Sequence, residues 1–189
     1  TSEARLAMSS VLGQLNWMAR QGRYDIAYGV SHVQQLMARE PAEAMDFLNK
    51  VIYRARQPMV QVVKKLKNWK DLVVISASDA AYGAQPGGYS QGGLLVALAE
   101  PEILEGEAQL VVLEAASMKI QRVVRCSMSA EVSMAATAFE HGDFVRAALS
   151  EMVHGQFVLK EWKLWANQWR HFLVIDAKTG FDVLTSEAQ

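Results

Sequence analysis

Three acidic residues stand at positions from which their side chains can meet. Asp79 ends one short run of β-branched residues, Asp176 ends another, and Glu131 lies near the start of a long stretch rich in Ala and Met. In α/β proteins, acids at the carboxyl ends of strands and at a helix start can converge on one edge of the sheet. Three adjacent carboxylates repel each other unless cations neutralise them. Two Mg²⁺ ions would do so, and would also activate water and stabilise the leaving oxygen of a phosphodiester.

Each of these candidate metal ligands also has a purely structural interpretation. Asp79 could cap the turn after its strand, and Glu131 could simply complement the dipole in the first turn of its helix. Asp176 could be an ordinary residue at the end of a strand. The order and context of all three together are more specific than any one of them, but both interpretations remain open on spacing alone.

The first seventy residues have the spacing of helices. Apolar residues recur at intervals of three and four over residues 8–18, and Gly22 closes that segment. Asp25 can cap a second helix, and Pro41 fits the first turn of a third, which we expect Pro58 to end. The inward faces of the second and third helices would carry Ile26, Val30, Val33 and Met37, then Met45, Leu48, Val51 and Ile52.

From Val60 onward the pattern becomes that of strands. Residues 71–78, 92–99 and 109–116 are apolar runs that predict three strands paired as an antiparallel meander, with an acidic turn at residues 100–107. A long helix over residues 129–153 would follow, with Glu131 in its first turn, and residues 171–175 would form a further strand. The elements predict an α/β fold with a mixed sheet and packed helices, preceded by a small helical segment.

Charge is distributed unevenly along the chain. Residues 1–70 carry eleven Lys and Arg against five acids, whereas residues 71–189 carry eight against fifteen. The basic half could hold a nucleic acid through its phosphates by counterion release. The alternative is two solvated surfaces that attract each other. The candidate nucleic-acid-binding residues are Lys50, Arg54, Lys64, Lys65 and Lys67.

The amino-acid composition bears on whether the chain folds, whether it spans a membrane and which cellular compartment it occupies. The 51% hydrophobic content suffices for a packed core, and no run of about 18 apolar residues predicts a membrane span. The single Cys126 cannot form an internal disulfide, which fits an intracellular protein of the cytoplasm or nucleus. We interpret Cys126 as a buried packing residue.

Local motifs resemble those of a known family. Asp79 stands in Ser-Asp-Ala-Ala-Tyr-Gly at residues 78–83, and Ser-Gln-Gly-Gly follows at residues 90–93. Ser-Met-Lys at residues 117–119 precedes Ser-Met-Ser-Ala-Glu, which ends at Glu131. These motifs resemble the RNase H domain of copia-type retrotransposon Pol polyproteins. Upstream, Arg-Tyr-Asp-Ile-Ala-Tyr, which begins at Arg23, is similar to the end of the reverse transcriptase in the same polyprotein.

The resemblance implies a fold, an activity and a set of partners. Residues 1–58 would be the helical end of reverse transcriptase and residues 59–189 an RNase H-like domain. The implied activity is an RNase H-type endonuclease that cleaves the RNA strand of RNA–DNA hybrids with two Mg²⁺ ions during reverse transcription. By motif match, Asp79, Glu131 and Asp176 would be its catalytic residues and first three metal ligands. The implied partners are the hybrid and the remainder of the polyprotein, with no membrane.

The chain departs from the family pattern at several positions. Ala81 stands where the family often has Asp, Tyr24 where it has Pro, and Ser133 where it has a second Glu. The family continues beyond Gln189 to a fourth carboxylate, for which Asp182 comes too early. We therefore expect a fragment, incomplete at its C-terminus, that cleaves only when completed downstream. The alternatives are a catalytically inactive retroelement remnant, acting at most as a nucleic-acid-binding or structural module, and an unrelated α/β domain.

Overall fold

The computed structural model describes residues 2–85, 87–155 and 157–176, together with Asp182 and Thr185. The chain divides into two compact units, each of which gathers three separate stretches of sequence. The first unit comprises Thr1–Val62, Ala80–Gly93 and Glu114–Ala130, and the second comprises Val63–Asp79, Leu94–Leu113 and Glu131–Gln189.

Three α-helices supply the core of the first unit. Helix α1 spans Ser2–Arg20, α2 spans Ala27–Leu36 after a 3₁₀ turn at Tyr24–Ile26, and α3 spans Pro41–Arg56. Each helix buries one apolar stripe, as the spacing of three and four predicts, so the three predicted helices are confirmed. The buried residues of this core are Met8, Leu12, Leu15, Ala19, Ile26, Val30, Val33, Leu36, Ala44, Leu48 and Val51.

Two details of the helical prediction are wrong. Asp25 does not cap α2, because its carboxylate accepts hydrogen bonds from Arg23 and Arg54, each at 2.9 Å. Charged donors make stronger hydrogen bonds than backbone N–H groups, so the two guanidinium groups hold this side chain. On α3, Met45 is 36% exposed, and Ala44 is buried instead.

Four strands of the described chain form a sheet in the order β3-β2-β1-β4. Their bounds are β1 Val73–Gln85, β2 Tyr89–Ala99, β3 Leu110–Lys119 and β4 His171–Ile175. Strand β4 runs parallel to β1. The short turn from β1 to β2, and backbone bonds that join Ile120 to Ser90 and Glu100 to Gln109, make the other neighbours antiparallel. The predicted α/β class with a mixed sheet and packed helices is confirmed, and it is consistent with an RNase H-like fold.

The strand prediction fails at the beginning of the sheet. Residues 57–68 form no strand, and the side chains of Val60, Val62 and Val63 are 86%, 73% and 73% exposed. A run of β-branched residues does not form a strand where no neighbouring strand pairs with it. Strand β1 begins only at Val73, and it does not stop at Asp79 but continues to Gln85.

A long helix and the last strand form the body of the second unit. Helix α4 spans Ser127–Val153, and the short α5 spans Trp162–Ala166. The guanidinium of Arg146 is buried, and its Nε donates to the carbonyl oxygens of Ala166 and Trp169, at 3.0 Å each. Because buried charge is costly unless it is bonded, these contacts fix α4 to the segment that leads into β4.

Two findings bear on the expectations from composition. No helix among the described residues is long and apolar enough to cross a membrane. The interpretation of Cys126 as buried packing is wrong, because its side chain is exposed immediately before α4. The hydroxyl of Ser129 and the neighbouring backbone lower the pKa of the Cys126 thiol.

Candidate metal centre and nucleic-acid contacts

The register of the two parallel strands brings the two aspartates together. Ser78 of β1 is paired with Ile175 of β4. Asp79 and Asp176 are the next residues along these neighbouring strands, so they lie side by side where the parallel pairing ends. Asp79 therefore lies just beyond the last residue of β1 that pairs with β4, although β1 itself continues to Gln85.

Glu131 joins this pair from helix α4. Asp79, Glu131 and Asp176 each offer a carboxylate oxygen that lies within 4.8 Å of the other two. Glu131 is partly buried, whereas the two aspartates are exposed. The predicted convergence of the three carboxylates is confirmed. Their role as metal ligands and catalytic residues stays a prediction.

The surroundings weaken the structural interpretations of two of these acids. Asp79 lies inside β1 and does not cap a turn after it. Glu131 lies beyond the first turn of α4, which contains no acid. The helix dipole acts within the first turn, so it stabilises the carboxylate of Glu131 only weakly.

The donor set fits a hard divalent cation. All three side chains offer oxygen, the donor that Mg²⁺ and Ca²⁺ prefer. Mg²⁺ takes one or two carboxylates together with water and substrate oxygens, and the exposure of both aspartates leaves such positions accessible. Like charges at this separation repel, so a cation that neutralises them would also stabilise the folded chain.

A buried polar network supports the strands behind the site. Ser76 Oγ of β1 lies 2.9 Å from His171 Nε2 of β4, and His171 Nδ1 lies 3.5 Å from Asp143 Oδ1 of α4. Burial lowers the pKa of His171, the nearby charge of Arg146 lowers it further, and Asp143 opposes both effects. Serine, histidine and aspartate in this order resemble a hydrolytic triad. Ser76 is completely buried, however, so no substrate reaches its hydroxyl, and the network serves packing.

The predicted nucleic-acid-binding residues are divided between the two units. Lys50 and Arg54 lie on α3 of the first unit, and Lys64, Lys65 and Lys67 belong to the second. Arg54 is bound to the carboxylate of Asp25 at 2.9 Å, and the ammonium of Lys67 lies 3.8 Å from Glu100. Whether these five cations bind nucleic acid stays a prediction.

One further set of residues was not predicted from the sequence. Arg39 and Lys119 both lie over the ring of Tyr89. These residues stand 30 to 80 positions apart, so no local spacing indicates that they meet. The signal that could have drawn attention to them is the absence of Asp and Glu from residues 80–99 and 115–130.

Comparison with known proteins adds little to this picture. No family model and no curated protein sequence matches the chain. The chain is similar to a foamy viral protease-reverse transcriptase, solved in complex with an RNA/DNA hybrid, with 12% identity and a TM-score of 0.27. The similarity covers 81% of this chain and 27% of that protein. A likeness this weak carries no argument about function, and this chain corresponds to only about a quarter of that protein's length.

Proposed function

We propose that Asp79, Glu131 and Asp176 hold Mg²⁺ in an RNase H-type endonuclease site that cleaves RNA in RNA–DNA hybrids. The observation that carries this proposal is the convergence of the three carboxylates, with a ligand oxygen from each within 4.8 Å of the others. Their motifs, which resemble those of copia-type retrotransposon Pol polyproteins, support the choice of reaction and substrate.

The proposal assigns each part of the chain a task. The register of β1 and β4 presents Asp79 and Asp176 side by side, and α4 adds Glu131, so the negative charge is assembled before substrate binds. Bound Mg²⁺ would supply a water of lowered pKa and stabilise the charge on the leaving oxygen. The exposed aspartates leave room for a phosphodiester beside them. The buried network around His171 keeps both strands in place against α4.

The wider context forms part of the same proposal. Residues 1–58 would represent the end of a reverse transcriptase and residues 59–189 the RNase H-like domain of a copia-type Pol polyprotein. The partners would be an RNA–DNA hybrid and the remainder of that polyprotein, inside the cell. The alternative is an inactive remnant that binds nucleic acid or serves only a structural role.

Replacing Asp79 by Asn tests the site directly. Mg²⁺ should raise the melting temperature of the unchanged chain. Asp79→Asn keeps the shape of the side chain but removes a charge, so Mg²⁺ should no longer raise the melting temperature of the variant. In EDTA the variant should be as stable as the unchanged chain or more so, because carboxylate repulsion is relieved. In a chain extended downstream, cleavage of an end-labelled RNA–DNA hybrid should require Mg²⁺ and should fall by at least about 100-fold in Asp79→Asn.

Asp46→Asn is a matched control, because Asp46 is an exposed acid on α3 of the first unit, whereas the three carboxylates belong to the second unit. It should leave both the response to Mg²⁺ and the cleavage rate unchanged. Mg²⁺ binding without hybrid cleavage by the chain extended downstream would favour the inactive remnant. An equal response to Mg²⁺ in Asp79→Asn and in the unchanged chain would contradict the metal site itself.

A further inference from the structure

Two cations gather around one aromatic ring in the first unit. The guanidinium carbon of Arg39 lies 4.9 Å from the centroid of the Tyr89 ring, and the ammonium nitrogen of Lys119 lies 3.0 Å from it. Arg39 is exposed, and Tyr89 is 37% exposed. These three residues are named the cation–tyrosine cluster below.

Strand pairing fixes two members of the cation–tyrosine cluster. The backbone N–H of Ile120 donates to the carbonyl oxygen of Ser90 at 2.9 Å. Lys119 precedes the donor and Tyr89 precedes the acceptor, so the end of β3 is held against the start of β2. The sheet therefore fixes the backbone positions from which the Lys119 side chain reaches the ring.

Helix α2 and the turn before β2 fix the third member. The side-chain amide of Gln35 donates to Gln91 Oε1 at 2.7 Å, which ties the end of α2 to β2 four residues before the chain reaches Arg39. In the turn, Gly87 and Gly88 have φ angles of +80° and +73°, which favour glycine. A side chain at Gly87 would overlap the guanidinium of Arg39. The glycine therefore allows the guanidinium to pack against the turn.

The sequence around Tyr89 and Lys119 supplies no acid that would compensate the charge of Lys119. Residues 80–99 and 115–130, which supply Tyr89 and Lys119, contain no Asp or Glu. Among the residues that the structure describes, Lys119 forms no ion pair with a carboxylate. Arg39 acts electrostatically on its neighbour Glu40. Lys119 is therefore the cation of this cluster whose charge the described carboxylates compensate less.

A purely structural cation–π pair does not account for two cations at one ring. An exposed cation–π contact contributes about 0.5–1 kcal/mol, and two like charges beside one ring repel each other, by about 1 kcal/mol in water at a separation of about 4 Å and by less at a larger one. The second cation therefore gains little from the ring alone. An anion placed beside both would relieve their repulsion.

We propose that the cation–tyrosine cluster binds one strand of a nucleic acid, with Lys119 and Arg39 on phosphates and Tyr89 against a base or sugar. Cations beside an exposed aromatic ring are the combination with which proteins hold nucleic-acid strands without reading their sequence. The inference rests on the proposed function, for which it supplies a substrate contact. An acidic protein segment would use the cations but would leave the ring without a stacking partner.

Binding of a fluorescein-labelled RNA–DNA hybrid, followed by anisotropy in EDTA, tests this inference without cleavage. Lys119→Gln should weaken binding several-fold and reduce the slope of log affinity against log salt by about 1, since one phosphate contact is lost. Lys119→Arg should bind as the unchanged chain does. Tyr89→Leu should weaken binding without changing the salt slope, because it removes stacking and no charge.

Lys163→Gln is the matched control. Lys163 is exposed and lies 5.7 Å from the centroid of the Trp162 ring, so its loss removes the same charge and the same kind of contact in the second unit. The affinity of the Lys163→Gln variant for the hybrid should equal that of the unchanged chain. Equal losses in Lys119→Gln and Lys163→Gln, or displacement of the hybrid by poly-glutamate as effectively as by unlabelled hybrid, would overturn the inference. Melting temperatures confirm that each variant is folded.

The inference and the proposed function can fail separately. Loss of binding in Lys119→Gln together with no Mg²⁺-dependent cleavage by the chain extended downstream would support the cluster and contradict the nuclease. Hybrid cleavage that Lys119→Gln leaves unaffected, with unchanged affinity, would support the nuclease and contradict the cluster.

Discussion

His171 shows how a single side chain can link the strands of the site to the helix that carries Glu131. Its ring touches Ser76 of β1 and Asp143 of α4, and it stacks on Phe139 with ring centroids 4.6 Å apart. Only 2% of its side-chain surface is exposed. A proton on this ring would place a positive charge in a buried setting close to that of Arg146, so the folded chain disfavours it.

We therefore expect the stability contributed by His171 to depend on pH. Since its pKa in the folded chain is lowered below the ordinary value, the unfolded chain binds the proton first as pH falls. The contribution is thus fully present above the ordinary pKa of about 6.5 and is lost progressively as pH falls below it through the lower pKa of the folded chain. His171→Gln should lower the free energy of unfolding by about 1–3 kcal/mol at pH 7.5.

Denaturant unfolding of both chains at pH 7.5 and pH 5.5 measures this effect. Comparison with the variant cancels the titration of groups that both chains share. The difference between the unchanged chain and His171→Gln should shrink at the lower pH. A difference that grows on acidification would show that the folded chain prefers the protonated ring, through Asp143.

Some residues of the site could be predicted from the sequence and others could not. Asp79 and Asp176 each follow a β-branched run, and neighbouring parallel strands bring such residues together. The cation–tyrosine cluster required the pairing of β2 with β3 and the position of the end of α2, which no local pattern encodes. The environment of Asp25 was also unpredictable, because Arg54 approaches it from another helix.

At the scale of elements, helix α4 approaches the sheet at Gly142. A side chain at this position would overlap the ring of His171 and the hydroxyl of Ser76. Because Ser76 is completely buried and His171 is stacked, neither can move away easily. The glycine lets α4 and the strands pack at this distance, which in turn determines where Glu131 stands relative to the two aspartates.

Two glycine substitutions in helix interiors should therefore have opposite effects. Gly13→Ala in α1 meets no atom within 4 Å and should raise stability by about 0.5–1 kcal/mol through helix propensity. Gly142→Ala should lower stability by about 1–3 kcal/mol, because overpacking outweighs that propensity. Thermal or denaturant unfolding of both variants checks the signs. A stabilising Gly142→Ala would contradict the close approach of α4 to the strands.

Element bounds were predictable where packing agrees with local preference. Residues 171–175 are β-branched, aromatic or large apolar except for His171, and β4 spans those residues as predicted. The part of β1 after Asp79 contains Ala, Gly and Gln, and the pairing with β2 supplies what propensity lacks. The valines near residue 60 show the reverse case, in which propensity exists without a partner strand.

At the scale of the whole molecule, the charge asymmetry persists when the chain is divided as it folds. The first unit carries ten Lys and Arg against six acids, and the second carries nine against fourteen. The proposed Mg²⁺ site belongs to the acidic unit, and the cation–tyrosine cluster belongs to the basic one. A polyanion would therefore be attracted mainly by the first unit, and divalent cations by the second.

Within the acidic second unit, three lysines lie close together in sequence but differ in their surroundings. Lys64 and Lys65 are exposed and form no ion pair with any described carboxylate. The ammonium of Lys67 lies 3.8 Å from Glu100, and its backbone N–H donates to the same carboxylate at 3.0 Å. A phosphate that binds Lys67 must compete with Glu100, so its contribution to nucleic-acid affinity should be small.

Anisotropy with a labelled hybrid at 50 and 200 mM salt separates these lysines. The double variant Lys64→Gln, Lys65→Gln should reduce the slope of log affinity against log salt by about 2, because each lysine that neutralises a phosphate contributes about 1. Lys67→Gln should change the slope little, and it leaves Glu100 without its cation, which increases local repulsion of phosphate. A loss of binding in Lys67→Gln equal to half that of the double variant would mean that nucleic acid displaces Glu100. No loss in either variant would mean that this lysine segment is an idle solvated surface, and the basic first unit would then have to account for the affinity.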